Sequence, residues 1–212
     1  VRTGNAIIQN DKSGDNCILL YGGANQAITR EQVDEVMAHF EKGDYIVLQN
    51  EINELAYIME KAHEKGLVTV LNPSPMNEKI STLPLDTVNY FLLNEVEASQ
   101  ILGKETTGDE TWEVIAEQLL EKFPHASIVL TMGSEGSVFK NHEETVIQPI
   151  YKVQAVDTTA AGDTFTGYFI GGILSGLSAK EAMDQAAKAS AIAVTRRGAA
   201  PSIPVLSEVQ AY

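Results

Sequence analysis

The 212-residue sequence has almost no cysteine and no long apolar run. Its one cysteine, Cys17, cannot form a disulfide within the chain, which favours a reducing compartment, and we expect a cytoplasmic protein. No stretch of about 18 apolar residues is present, so neither a membrane-spanning helix nor a membrane partner is expected. Val1 leads directly into strand-like sequence and not into a charged and apolar leader.

Basic residues are also scarce, because 15 Lys and Arg stand against 29 Asp and Glu, a formal net charge of −14. A chain with this charge repels the phosphate backbone, so nucleic acid is not expected as a partner. A polyanionic small molecule would have to be received by a local site, against the overall field. The four histidines are scattered and match no spacing typical of a metal site or a catalytic triad.

The sequence does contain alternating strand-like and helix-like segments. Two apolar stretches, Asn5 to Gln9 and Cys17 to Tyr21, flank the turn-forming residues 11–16 and predict a β ribbon. Capping boxes that begin at Thr29 and Ser178 predict helix starts. Short loops between alternating elements predict an α/β fold, with helices on both faces of a mostly parallel sheet.

Further elements follow from apolar periodicity and from Gly and Pro positions. The expected strands are 45–48, 67–71, 88–93, 128–131, 137–140, 145–148 and 151–155. The expected helices are 54–65, 95–102, 110–123, 161–174 and 178–194. Ligands of such sheets bind beyond the carboxyl ends of the strands. The polar and glycine-rich loops after Leu48, Leu71, Leu93, Thr131 and Ala155 are therefore expected to share one edge.

The segment from Val156 to Phe165 reads VDTTAAGDTF and opens one of these helices. Its small residues allow the N–H groups of Ala161, Gly162 and Asp163 to crowd together at a helix N-terminus, which makes a main-chain anion site. A carboxylate beside such a site, Asp163, could take a proton from a hydroxyl that attacks a phosphoryl group. The alternative is a tight turn with an early-helix Asp, which the helix dipole alone favours.

This segment resembles the signature D-T-x-x-A-G-D-x-F of the ribokinase family, the phosphofructokinase-B-type carbohydrate kinases. Many members have Gly at the position of Ala160. The resemblance extends over nearly all of the chain and implies a ribokinase-like fold. It also implies ATP-dependent phosphorylation of a sugar hydroxyl with Asp163 as the base. Ribose, converted to ribose 5-phosphate, is the leading substrate.

Two further motifs resemble the nucleotide-binding parts of the family. Asn94 and Glu97 match its N-x-x-E motif, which implies a role around Mg²⁺ and phosphate; by spacing alone they could equally be an N-cap and a first-turn acid. The T-x-G-x-x-G loop that follows the strand 128–131 implies contact with the nucleotide, although alone it indicates only a turn. The ATP-binding residues implied are Asn94, Thr131, Met132, Gly133, Ser134, Glu135, Gly136 and Gly162.

The segment 193–202 resembles the loop with which ribokinases hold K⁺ behind the anion site. The resemblance implies oxygen ligands from Asp157, Thr159, Ala193, Arg196, Gly198 and Ser202. The alternative is an ordinary helix C-terminus with basic residues on its dipole and Gly198 as terminator. Glu51 aligns with a family glutamate that touches the sugar, so Glu51 and Asp163 are the substrate residues implied. A solvated loop acid is an equal interpretation of Glu51.

The resemblance also implies a domain organisation. Residues 1–24 correspond to lid strands, which would allow a homodimer through the lid, and residues 25–212 to the nucleotide-binding and catalytic core. The amino-terminal part of the family, with its diglycine sugar-binding motif, has no counterpart here, so the chain is either a fragment or a short gene product. Alternatives are a kinase of the same family for fructose, a keto-deoxy sugar acid or a nucleoside, and a non-catalytic nucleotide-binding remnant.

Overall fold

The structure is a computed structural model that describes residues 1–10, 16–104 and 110–212, so the turn expected at 11–16 lies, except for Asn16, outside the described residues. The chain divides between Tyr90 and Phe91 into two compact units, which are taken in turn below. No helix in the described ranges has both the length and the apolar character needed to cross a membrane.

The first unit opens with a two-stranded antiparallel ribbon, as expected. Strand β1 (Asn5–Asn10) pairs with β2 (Asn16–Tyr21), and Ile7 lies opposite Leu19. Both of these side chains are more than half exposed, at 57% and 54%. A ribbon of this kind has no core of its own, so its apolar side chains remain open to solvent or to another surface.

The rest of the first unit alternates helix and strand. The elements are α1 (Arg30–Met37), β3 (Tyr45–Gln49), α2 (Leu55–Lys65) and β4 (Val68–Asn72). Strands β3 and β4 are parallel, as predicted. The capping box at Thr29 is confirmed: its hydroxyl accepts from the N–H of Gln32, while the Gln32 side chain accepts from the N–H of Thr29. Helix α2 ends at Gly66, whose φ of 76° lies in the left-handed region that glycine adopts without strain.

The second unit contains most of β5 and everything that follows. Its elements are β5 (Tyr90–Asn94), α3 (Glu95–Ile101), α4 (Trp112–Lys122), β6 (Ser127–Thr131), β7 (Ser137–Lys140), β8 (Thr145–Gln148), α5 (Ala161–Leu174), α6 (Ala179–Val194) and α7 (Leu206–Ala211). Strand β7 is antiparallel to both β6 and β8. The bounds of α5 agree with the prediction at both ends, and α6 begins at the expected capping box of Ser178.

The prediction of a strand at 151–155 is wrong, since this segment has no regular secondary structure. Residues 152–155 are exposed, and Tyr151 instead donates a hydrogen bond from its hydroxyl to Asp184 of α6. The next two residues are hydrogen-bonded to the last residue of α6: the N–H groups of Val156 and Asp157 both donate to the carbonyl of Val194. The alternation of apolar and polar residues was suited to a strand, but a strand also requires a neighbouring strand to complete its hydrogen bonds.

Candidate active site

Helix α5 begins in an unusual backbone conformation. Its N-cap residue Ala160 has φ 60° and ψ 17°, in the left-handed region, and offers no side-chain cap. A residue with a Cβ in this region costs about 1–2 kcal/mol. Such strain is found mostly at functional sites, where the surrounding structure holds it in place. The left-handed conformation of Ala160 turns the chain directly into the first turn of α5.

The first turn of α5 presents main chain and one carboxylate on the surface. Gly162 and Asp163 are exposed, and a Cβ built on Gly162 would meet no described atom within 4 Å. The N–H of Ala161 donates to the carbonyl of Thr158 over 3.2 Å, a long bond. The first N–H groups of a helix have no acceptor within the helix, so this turn carries donors and a positive dipole end beside Asp163.

Asp157 joins the segment before α5 to the loop after α6. One of its oxygens accepts from the N–H of Thr159 at 3.0 Å, and the other accepts from the N–H of Gly198 at 2.9 Å. Hydrogen bonds from the Thr159 side chain, from Gly198 and from the Thr159 main chain lower the pKa of Asp157 to about 2. The carboxylate is therefore ionised at every physiological pH.

The loop after α6 is held at several further points. Ser202 is fully buried and donates from its hydroxyl to the carbonyl of Ala199, in a short 3₁₀ turn over Ala200–Ser202. The Arg196 guanidinium pairs with Glu208 at 2.7 Å, and Glu208 also accepts from the N–H of Val205. The structure thus brings together the two segments, 157–159 and 193–202, for which the family resemblance implies a cation site.

Asn94 and Glu97 form a reciprocal capping box at the start of α3. The Asn94 side chain accepts from the N–H of Glu97 at 2.9 Å, and the Glu97 carboxylate accepts from the N–H of Asn94 at 3.0 Å. The helix-cap interpretation of this pair is confirmed. Glu97 is 7% exposed, which is unusual for a carboxylate. The hydroxyl of Thr131, at the end of β6, donates to the carbonyl of Leu93 at 3.2 Å, so two of the predicted site loops are neighbours.

The loop after β6 depends on its second glycine. Gly136 has φ 106° and ψ −142°, a combination available only to glycine, and a Cβ there would lie 2.4 Å from the carbonyl oxygen of Gln148. The N–H of Met132 donates to the carbonyl of Gly136 and closes the loop. Gly133, Ser134 and Glu135 form an exposed 3₁₀ turn, while Met132 is buried. The turn interpretation is confirmed, and it leaves three exposed residues for contact with a ligand.

Glu51 lies in the first unit, in the turn that follows β3. The residue is exposed, and its carbonyl accepts from the Gln26 side chain at 2.9 Å. Two asparagines hold this turn in place. Asn50 donates to the carbonyl of Pro75 at 2.7 Å, and the Asn53 amide both donates to and accepts from the main chain of Ile28. No pattern in the sequence marks either asparagine as a residue that holds this turn.

Sequence reasoning also missed Ser190 and Glu208 in the second unit. Ser190 of α6 donates from its hydroxyl to the carbonyl of Ala161, and Glu208 holds Arg196. No local pattern marks either residue, because each acts across a long sequence separation. In the described part of the chain, no three His, Cys, Asp or Glu side chains are grouped closely enough to form a metal site by themselves.

Comparison with known proteins identifies the family to which the chain belongs. The family model for pfkB family carbohydrate kinases matches residues 1–206. The ribokinase of Staphylococcus aureus (strain COL) is 35% identical over 211 residues, which cover 98% of this chain and 69% of that protein. The match confirms the family expected from the signature at 157–165.

Solved structures of ribokinases are similar over nearly the whole chain. That of Thermotoga maritima has a TM-score of 0.81 at 33% identity and covers 99% of this chain and 69% of its own. That of Arabidopsis thaliana, complexed with ribose and ATP, has a TM-score of 0.83 at 29% identity. The match covers 99% of this chain and 68% of the Arabidopsis chain. The ribokinase-like α/β fold and the class of phosphotransferase are thereby confirmed. The chain belongs to the pfkB family of carbohydrate kinases.

Proposed function

We propose that the protein transfers the γ-phosphoryl group of ATP to a hydroxyl of D-ribose, giving ribose 5-phosphate. The observation that carries this proposal is the start of α5, where strained Ala160 turns the chain so that exposed Gly162 and the carboxylate of Asp163 stand together. The identity to ribokinases supports ribose as the substrate. The Arabidopsis structure, which binds both ribose and ATP, supports the pair of substrates.

In this proposal Asp163 accepts the proton of the attacking hydroxyl. A sugar hydroxyl is a weak acid, so the proton moves late, as the phosphoryl group leaves in a loose transition state. The N–H groups of Ala161, Gly162 and Asp163 stabilise the charge on the transferred group. Asp163 also contacts the sugar, and Glu51 is the residue proposed for sugar binding in the first unit. The exposed turn at 133–135, with Thr131, Met132, Gly136 and Asn94, lines the nucleotide. Catalysis is then mostly positioning and charge stabilisation.

Asn94 and Glu97 are the proposed residues for Mg²⁺. Mg²⁺ prefers oxygen donors and keeps most of its water, so it needs few protein ligands. The buried Glu97 carboxylate and the exposed Asn94 are fixed to each other at the end of β5, which suits a hydrated ion that contacts protein only through one or two groups. The ion would neutralise part of the phosphate charge.

We also propose K⁺ as an activator, held between the segments 157–159 and 193–202. The ligands are the ionised carboxylate of Asp157 and the oxygens of Thr159, Ala193, Arg196, Gly198 and Ser202. Support comes from the hydrogen bond between Asp157 and Gly198, which holds the two segments side by side. A bound cation there would add positive charge behind the helix start that receives the phosphoryl group.

The K⁺ site can be tested by thermal unfolding of this chain with MgADP. We expect a higher midpoint in KCl than in NaCl or LiCl at equal ionic strength, because the larger ion fits a cage of several oxygens. Asp157→Asn should remove the difference between the salts. Asp184→Asn, which neutralises a carboxylate paired with Lys188 in the same unit, should keep it. Equal unfolding midpoints of the unsubstituted chain in all three salts would contradict the proposed cation site.

Binding of nucleotide is the direct test of the proposed function. All motifs assigned to ATP lie within this chain, whereas the sugar-gripping diglycine motif of the family does not. We therefore expect calorimetry to show MgADP and MgATP binding to the folded chain, with no turnover that depends on ribose. Turnover with ribose, fructose and a nucleoside in turn, measured in an enzyme completed with the amino-terminal part of the family, separates the substrates. A folded chain that binds no nucleotide would contradict the proposal.

The remaining proposals concern assembly and location. We place lid strands at residues 1–24 and the catalytic core at 25–212, in a cytoplasmic enzyme without nucleic acid or membrane partners. A second copy is proposed to pair through the ribbon. The exposed apolar side chains of Ile7, Leu19, Leu20 and Tyr21 support this, because such side chains are costly in water unless a surface covers them.

A further inference from the structure

We propose that Ser190 is a positioning residue for phosphoryl transfer, acting through the peptide group between Ala161 and Gly162. The inference rests on the proposed function, since it concerns the same helix start. It adds a residue from a different helix, one that touches neither nucleotide nor sugar in the mechanism above.

The hydrogen bond of Ser190 differs from that of Ser175, the residue that follows α5. A serine within a helix commonly donates back to the carbonyl four residues earlier. Ser175, the C-cap residue of α5, does so, at 2.7 Å from the carbonyl of Gly171. Ser190 instead donates to the carbonyl of Ala161, 29 residues away, over 3.0 Å. The hydroxyl therefore connects the last third of α6 to the first residue of α5.

Small residues make this contact geometrically accessible. The face of α6 is lined with buried alanines, and Ala189, directly before Ser190, is fully buried. Near the other end of α5, a Cβ built on Gly172 would lie 3.1 Å from the Cβ of Ala182. Helices that meet through Gly and Ala approach closely, so a side chain as short as serine can reach a main-chain carbonyl across the interface.

The hydrogen bond from Ser190 acts on a peptide group that has a role in the proposed reaction. The carbonyl of Ala161 and the N–H of Gly162 belong to one peptide group, so a hydrogen bond accepted by the oxygen makes that N–H a stronger donor. Such cooperativity strengthens a bond by roughly 10–30%. Exposed Gly162 is one of the three residues whose N–H groups are proposed to receive the transferred phosphoryl group.

The neighbouring peptide group is supported in the same way. The hydroxyl of Thr164 donates to the carbonyl of Ala160 at 2.8 Å, beside the main-chain bond that α5 makes to the same oxygen. That carbonyl shares its peptide with the N–H of Ala161. Two consecutive peptide groups at the start of α5 are thus each held by a side-chain hydroxyl from behind, one local and one from α6.

The test compares MgATP and MgADP binding to the 212-residue chain by calorimetry. The ratio of the two affinities isolates the γ-phosphoryl group. We expect Ser190→Ala to lower this ratio roughly two- to fivefold, from the weaker donor and the looser turn. Ser190→Thr, which keeps the hydroxyl, should restore the ratio. Ser175→Ala is the matched control, since its hydroxyl is at the far end of α5, and it should change nothing.

A second measurement does not depend on nucleotide. The amide proton resonance of Gly162 should move upfield in Ser190→Ala and in Ser190→Cys, which keeps the volume but has only a weak donor. An unchanged affinity ratio in Ser190→Ala, in a chain that still prefers MgATP, would overturn the role of Ser190 alone. An original chain that shows no preference for MgATP would overturn both this role and the anion site proposed at α5.

Discussion

Asp163→Asn is expected to lower kcat at least about a hundredfold in an enzyme completed with the amino-terminal part of the family, with the KM for ATP nearly unchanged. Positioned proton transfer contributes about 10²–10⁴-fold, or about 2.7–5.4 kcal/mol of barrier. The amide keeps the shape of the side chain and removes the base. It also removes a negative charge from the start of α5, so nucleotide should bind as well or slightly better.

The competing interpretation of Asp163 predicts a different outcome. As a mere first-turn acid it would contribute about 0.3–1 kcal/mol of stability through the helix dipole. Its replacement would then lower the unfolding midpoint and leave kcat per folded molecule near that of the original. Steady-state kinetics and thermal unfolding on the same samples separate the two. Near-normal turnover would rule out the base, and the proposed mechanism with it.

Gly162→Ala is expected to change stability and activity in opposite directions. A Cβ at this position meets no described atom within 4 Å, and replacing a helical glycine by alanine stabilises by roughly 0.5–1 kcal/mol. The same methyl group would occupy the space through which a phosphoryl group approaches the main chain. Loss of one such donor costs about 10²–10³ in kcat, so we expect a loss of at least about a hundredfold.

The matched control is Gly167→Ala, in the same helix. Gly167 is also exposed, and its Cβ would likewise meet no described atom within 4 Å. It should therefore show the gain in unfolding midpoint without any loss of turnover. If Gly162→Ala is as active as Gly167→Ala, close approach of the phosphoryl group to this turn is not part of the reaction.

Helix starts were predictable because their signals lie within one turn of the chain. The capping boxes at Thr29 and Ser178 join residues three apart, and both form as expected. The same locality explains why Asn94 and Glu97 remain ambiguous. Their mutual hydrogen bonds satisfy the helix-cap interpretation completely, so the geometry of the pair alone does not require a metal ion.

The sequence by itself determined the family, through the segment around Asp163, and the bounds of α5 and α6, through small residues and caps. The tertiary structure decided what depends on distant partners. The segment 151–155 has the alternation of a strand but forms no regular secondary structure, and Tyr151 is hydrogen-bonded to Asp184 of α6 instead. Asp157 meets Gly198 across 41 residues, and Ser190 meets Ala161 across 29. A hydrogen bond between distant residues depends on how the helices pack, and packing leaves no local pattern in the residues that it brings together.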